Sequence, residues 1–360
     1  MKKLISTIFV FNFFIASLLG QKLDTAGWAN LDYTVPQSPA FKILGSSPSN
    51  IIQPTSLKSI ALNVGDYLIT NGSVIPKNFA VEINPMLLNN TLSLNSYQKC
   101  PILYRWSLSF GTTANSKGSY DIAEGLRITL WDKTDLRTDK AFIDTMAKFA
   151  DDAVNAFVKA KKIYANAYKT TFIDVGDKYD KPDVNVKKSV DSIVNLLLHK
   201  DADQYIINTR NTFKQNNWNK SIVQLGVAGL QSSLDSLAKN ITATTKYAGW
   251  LSGGFPICTN GQLLIGVKAE RQDSNMVWIN NGSGAIRFYY GENNIKGYAQ
   301  SQITWINTIP SITTSLGCDY NLSNGIWIDV AVNLVTDQYG NTIIKPSFNF
   351  NFGTPEKKKT

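Results

Sequence analysis

The segment Ile344-Lys345-Pro346-Ser347-Phe348-Asn349-Phe350-Asn351-Phe352 constrains the fold most, because read as a strand it puts three phenylalanines on one face and polar residues on the other. Lipid on one side and water on the other would suit such a strand, although a soluble sheet with one solvated face alternates as well. What separates the two is how often the pattern recurs and what the second face is made of.

The pattern recurs along most of the chain. Tyr104, Trp106, Leu108 and Phe110 alternate with Arg105, Ser107 and Ser109, and Leu126, Ile128 and Leu130 alternate with Arg127 and Thr129. Val223, Leu225 and Val227 oppose Gln224 and Gly226. Leu263, Ile265, Val267 and Ala269 oppose Leu264, Gly266, Lys268 and Glu270. Ile286, Phe288 and Tyr290 flank Arg287, while Ala299, Ser301, Ile303 and Trp305 oppose Gln300, Gln302 and Thr304. Ile326, Ile328, Val330, Val332 and Leu334 oppose Trp327, Asp329, Ala331 and Asn333. The second face is small or polar, as a water-filled or side-chain-filled lumen requires. The segments over 261–271, 295–306 and 324–335 have the length of membrane strands, ~9–11 residues, rather than the about 5–6 of globular ones.

Twelve segments fit the template: 58–67, 77–84, 103–111, 124–132, 220–230, 246–257, 261–271, 284–291, 295–306, 311–320, 324–335 and 342–352. The expectation is a mainly β chain, an antiparallel transmembrane β-barrel of about 12 strands over residues 57–352, with 10–14 compatible with uncertain boundaries. Tyr104, Trp131, Trp218, Trp250, Trp278, Trp305 and Trp327 stand near segment ends and suit the aromatic girdles of such a barrel. With the chain entering from the periplasm, Cys258-Thr259-Asn260 is a short periplasmic turn and Gly291-Glu292-Asn293-Asn294 another. Gln272 to Ser283 is then a longer external loop.

Met1-Lys2-Lys3, the apolar run from Leu4 to Leu19 and then Gly20-Gln21 predict a cleaved signal peptide over 1–20. No cysteine stands there to take a lipid anchor, and no other stretch reads as a membrane helix. The predicted location is therefore the outer membrane, since only helices and closed barrels satisfy every backbone group in lipid.

Two parts break the pattern. Residues 138–217 form an α-helical insertion, in which Phe142, Met146, Phe149, Ala153, Phe157, Ala160 and Tyr164 make an amphipathic stripe after the caps Thr138 and Asp139. A second helix is predicted from Asp183, with the stripe Val186, Val190, Ile193 and Leu197. Four predicted strands precede the insertion, which puts it on the periplasmic side. Residues 21–56 are rich in proline and serine, and two readings stand: a periplasmic linker, or a segment filling the lumen with Pro39, Ala40, Phe41, Ile51 and Ile52 as its contacts. Residues 353–360 are a basic tail.

Catalytic signals are weak. The one histidine, His199, follows the second helical stripe without a second histidine or cysteine beside it, and no Gly-x-Ser-x-Gly, His-Glu-x-x-His or phosphate-cradling loop occurs. No enzyme activity and no cofactor or metal is predicted. Cys100, Cys258 and Cys318 are too few for a disulfide framework. The net charge of +9 is scattered apart from Lys357-Lys358-Lys359, which argues against a nucleic-acid footprint.

Ser38-Pro39-Ala40-Phe41, followed by a proline-containing stretch and by Ala80-Val81-Glu82-Ile83-Asn84-Pro85, resembles the opening of uncharacterised outer-membrane β-barrel proteins of Gram-negative bacteria. The resemblance covers the N-terminal quarter and the general layout. It implies a barrel and carries no chemistry.

Three functions fit these features. The first is a narrow channel or transport barrel with an N-terminal plug, its lumen lined by Arg105, Arg127, Lys268, Glu270, Arg287 and Asp329; the basic excess in that set predicts anion preference. In the second, a closed barrel acts as a binding or scaffolding component of an outer-membrane secretion or assembly complex, meeting its partner through the helical insertion. The third is a soluble periplasmic or secreted β-rich protein. Outer-membrane lipid is the expected surrounding of the first two, the substrate is left open, and no nucleic acid is expected.

Overall fold

The computed structural model describes residues 31–45, 79–88, 93–114, 120–180, 183–198, 201–233, 241–274, 277–307, 309–323 and 326–352. The signal peptide 1–20, the strand predicted over 58–67, Ile51, Ile52, His199 and the tail 353–360 lie outside the described residues. Contacts divide the chain into a sheet unit and a helical unit, the latter over Asp135–Trp218.

The sheet unit opens with the short helix α1 (Pro39–Leu44), which has proline in its first turn and ends on Gly45 in the left-handed conformation. Then come β1 (Phe79–Ile83), α2 (Leu94–Lys99), β2 (Trp106–Ala114) and β3 (Tyr120–Asp132). After the helical unit follow β4 (Ile222–Ser233), β5 (Ile241–Cys258), β6 (Gly261–Ser274) and β7 (Val277–Gly291). The last four are β8 (Ile295–Ile306), β9 (Ile309–Ser323), β10 (Ile326–Thr336) and β11 (Thr342–Phe352). These eleven strands form one antiparallel sheet in strict sequence order, each paired with its neighbours. β1 and β11 are its edges, and no pairing joins them among the described residues.

Register explains the periodicity. Ser109↔Gly125, Gly125↔Ala228, Ala228↔Ala248, Ala248↔Glu270 and Glu270↔Asn281 run as one row across six strands. The sheet therefore keeps one phase, with this row of small and polar residues on one face throughout. That face is the buried one. Ser109, Gln224, Ser252, Ser283, Arg287, Gln300, Ser315 and Asp319 are buried, whereas Leu225, Val267, Ile286, Leu316, Val332 and Phe348 on the other face are exposed. Leu316 is 66% exposed against 3% for Asp319 three residues on. Soluble sheets bury the apolar face instead, and each large apolar side chain left in water forgoes ~1.5–3 kcal/mol.

Two expectations about the strand ends need correction. Gln272 to Ser283 is not a long loop: β6 and β7 stay paired out to Ser274↔Val277, because the Asn and Gly residues there continue the ladder instead of breaking it. The aromatic set also divides. Trp278 and Trp305 share the exposed face, and Trp131 is 52% exposed. Trp250 and Trp327 fall in the polar phase and are buried on the inner face, while Tyr104 sits in a 3-10 turn and Trp218 in the helical unit. Alternation, not position along the strand, decides which way an aromatic points.

The helical unit contains α3 (Lys140–Ala167), α4 (Phe172–Asp180), α5 (Val184–Leu198) and α6 (Ala202–Asn216). Asp139 caps α3 by accepting from the Phe142 N–H at 3.1 Å, and its second oxygen accepts from Asn217 Nδ2 at 2.9 Å, tying the two ends of the insertion together. Ala160 and Ala165 of α3 pack with Val175 of α4 and with Val186 and Val190 of α5. Leu136, Phe142 and Met146 pack on Tyr205 and Phe213 of α6. Among the described residues no helix is long and apolar enough to cross a membrane, a statement that says nothing of strands.

Candidate functional site

The site is the polar face of the sheet together with the N-terminal segment laid on it. Tyr33, Val35, Ala40, Phe41 and Ile43 are buried, though none belongs to a strand. Val35, Ala40, Phe41 and Ile43 form one core cluster with Ala80, Ala123, Ala228, Ala248 and Trp250, the small residues of the inner rows.

Glycines make the seat. A Cβ added at Gly125 of β3 would meet the Ala40 nitrogen at 2.8 Å and Pro39 Cβ at 2.9 Å. At Gly266 of β6 it would meet the Tyr33 carbonyl oxygen at 2.5 Å. Gly111 faces side-chain atoms of Leu44 and Phe41, and Gly226 faces Val35 Cγ1. A side chain at Gly125 or Gly266 would press on the segment's backbone, and one at Gly111 or Gly226 on its side chains.

Hydrogen bonds fix its register. The Ala40 N–H donates to Ser109 Oγ at 3.1 Å, the Val35 N–H to Ser252 Oγ at 3.2 Å, and the Tyr33 hydroxyl to Gln300 Oε1 at 2.8 Å. Asp32 takes Lys268 at 3.2 Å and stands 3.9 Å from Lys42. Burial pushes the Tyr33 phenol up to about 12, with the Arg287 charge opposing it, and burial lowers Lys42, with Asp32 opposing.

The charges predicted to line a lumen are paired. Arg127 reaches across β2 to Glu82 at 2.9 Å, and Ser107 Oγ donates to the same carboxylate at 2.7 Å. Glu270 receives Lys246 at 2.9 Å and Lys268 at 3.1 Å. Arg287 donates to Gln300 Oε1 at 2.6 Å and to the Tyr289 hydroxyl at 2.9 Å, lies 3.8 Å from the Tyr298 ring centroid and stands 3.9 Å from Asp319. Asp329 accepts from Tyr298 at 2.7 Å and from Asn349 at 3.2 Å. Arg105 differs: it precedes β2, and its Nε donates to the Tyr97 hydroxyl of α2 at 3.0 Å.

Of the contacts expected for the N-terminal segment, Pro39, Ala40 and Phe41 lie on the inner face. Sequence reasoning missed Tyr33, Asp32, Glu82, Lys246 and Asp319. The last three stand in the polar phase of their strands, which is the signal that could have found them; Tyr33 and Asp32 stand outside any periodic segment. Among the described residues no group of three or more His, Cys, Asp or Glu could hold a metal. Cys100, Cys258 and Cys318 are free thiols.

No protein-family model matches this chain, and no curated protein matches it.

Proposed function

We propose that this protein is an outer-membrane β-barrel acting as a narrow channel or transport barrel, closed at rest by its N-terminal segment. The observation that carries the reading is the inverted sheet: its apolar face is exposed, and its polar face is buried, in part beneath residues 32–44. Only a surrounding apolar phase makes that arrangement favourable, and a barrel is the form in which a sheet satisfies its edges there. The barrel counts about 12 strands, the eleven described and the one expected over 58–67. Glu82 and Asp319 offset much of the basic excess counted from the sequence, so the open pore leans only mildly toward anions.

The segment serves as a plug. It is held by a few hydrogen bonds and by glycine seats instead of by the ladder, so it can leave without unpairing a strand. Planar-bilayer conductance of heat-modifiable, detergent-soluble protein tests this. The full chain should be silent, and a variant lacking residues 31–45 should conduct in steps. Extraction without detergent would sink the membrane reading. Silence in both proteins would favour the second reading, a closed barrel docking a partner through its helical unit. That reading has its own observation: Ile173, Val184 and Leu196 there are 71–72% exposed.

A further inference from the structure

Resting on the channel reading above, we infer that the wall beneath Asp32 and Tyr33 is the solute-recognition site of the pore, fitted to a ring that carries a hydroxyl at one end and a carboxylate at the other. In the closed form these two residues of the segment occupy it as a tethered stand-in for the solute.

Register stacks the wall in three levels along β6, β7 and β8. Lys268↔Ser283 comes first, Gly266↔Ala285 next and Leu264↔Arg287↔Gln300 last. Each level meets one piece of the segment. Lys268 Nζ stands 3.2 Å from Asp32 Oδ1, and Ser283 Oγ donates to Asp32 Oδ2 at 3.4 Å. Gly266 leaves the room that the Tyr33 ring takes, since a Cβ there would meet Tyr33 Cδ2 at 2.6 Å. The Tyr33 hydroxyl then donates to Gln300 Oε1 at 2.8 Å. A carboxylate seat, a ring floor and a hydroxyl seat follow one another on a single face.

The hydroxyl seat is held by the sheet and not by the segment. Gln300 Nε2 donates to Gln302 Oε1 at 3.0 Å, which fixes the amide so that its Oε1 receives Arg287 Nε at 2.6 Å. Arg287 also donates to the Tyr289 hydroxyl at 2.9 Å and stands 3.9 Å from Asp319. When the segment leaves, these partners stay, and Gln300 Oε1 keeps one lone pair for a donor. A hydroxyl supplies that donor and a bare ring does not.

Charge divides the wall in the same way. Around the Asp32 carboxylate it carries Lys246 and Lys268 against Glu270 alone, two positive charges to one negative, so one positive charge is left over once Asp32 departs. Around the hydroxyl seat, Arg287 and Lys296 stand with Asp319 and Asp329, which balance. One end takes an anion and the other a neutral group. The stand-in matches, because burial pushes the Tyr33 phenol up to about 12 and keeps it a neutral donor.

Equilibrium binding of labelled para-hydroxyphenylpropionate to the full mature chain in detergent tests the proposal, with heat-modifiable migration read on every protein. In the wild type the tethered residues compete at the effective concentration of a short linker. Asp32→Ala combined with Tyr33→Ala should therefore bind the probe at least about tenfold more tightly. The same double variant should bind phenylpropionate, which lacks the hydroxyl, and para-hydroxyphenylpropionamide, which lacks the charge, at least about fivefold more weakly, the loss expected when a seat is left unpaired. Adding Gln300→Leu or Gly266→Leu should weaken the probe as much, and the three-probe comparison decides even where a wall variant does not fold. Equal binding of the three probes, no binding by protein that migrates normally, or no gain on removing Asp32 and Tyr33 would overturn the site. Bilayer recording of the double variant keeps the two claims apart. Conduction without selective binding refutes the site alone, whereas selective binding by a protein that stays silent refutes the channel and leaves the site.

Discussion

Gly125→Val combined with Gly266→Val should unseat the N-terminal segment while leaving the sheet intact. Both glycines face inward, and a Cβ there would strike the segment: the Ala40 nitrogen and Pro39 Cβ at 2.8 and 2.9 Å for Gly125, where Ser109 Oγ of β2 also stands at 2.8 Å, and Tyr33 oxygen and Cδ2 at 2.5 and 2.6 Å for Gly266. Two of those atoms are backbone, so a rotamer change cannot clear them. Overpacking of this kind costs about 1–3 kcal/mol per site. The two seats lie three strands apart and contact different ends of the segment, so their effects add to about 2–6 kcal/mol, a shift of about 30-fold to above 10⁴-fold in the seating equilibrium. Two assays read that shift. Single-channel recording should show openings absent from the wild type, and trypsin should cut at Lys42 of the membrane-inserted protein. Gly284→Ala is the control, because its added Cβ meets nothing nearer than 3.9 Å. If the double variant stays silent and Lys42 stays protected, the glycine seats do not hold the segment and the plug argument fails.

Alkaline pH should loosen the same contact. Tyr33 ionises at 10.0 when free and at about 12 when seated, so its contribution is fully present below pH 10 and is lost as pH climbs toward 12, ~3 kcal/mol in all. Channel openings should therefore become more frequent over that window in the wild type and lack the step in Tyr33→Phe. Gly317→Val places a Cβ 2.5 Å from Tyr298 Cζ and 2.7 Å from the Val330 carbonyl oxygen, breaking the Tyr298 to Asp329 hydrogen bond. The temperature of the heat-modifiable gel shift should fall by an amount matching at least about 2 kcal/mol, whereas Gly297→Ala, with nothing nearer than 3.8 Å, should leave it unchanged. Asp139→Ala removes both the α3 cap and the Asn217 link. Hydrogen exchange in the first turn of α3 should speed up by about tenfold with no change in the sheet amides.

Eleven of the predicted strands are present because each carries its own period-two signal, and antiparallel neighbours in sequence order need no long-range information to pair. The phase was legible for the same reason: Gln300, Arg287 and Asp329 all fall on the face opposite Ile303, Ile286 and Val330. Strand ends were not, because Asn280 to Ser283 has the composition of a turn and yet is held in the ladder by partners on both sides. Helix α6 escaped because it buries no residue fully, so its contacts through Tyr205 and Phe213 leave only a thin stripe.

The N-terminal segment shows where local reading stops. Its sequence offers prolines, serines and a few apolar residues, which describe a linker as well as a plug. What distinguishes the two lies elsewhere in the chain, in Gly111, Gly125, Gly226 and Gly266, whose spacings of 14, 101 and 40 residues have no meaning until the register aligns them beneath one track. The same glycines look like ordinary interruptions of strand propensity, each one weakening its strand. Four such weaknesses on one face lie beneath a single thirteen-residue stretch, Gly125 and Gly266 against its backbone and Gly111 and Gly226 against its side chains. In an always-open lumen alanine or serine would serve at Gly111 and Gly266, since every atom nearest an added Cβ at those two positions belongs to the segment.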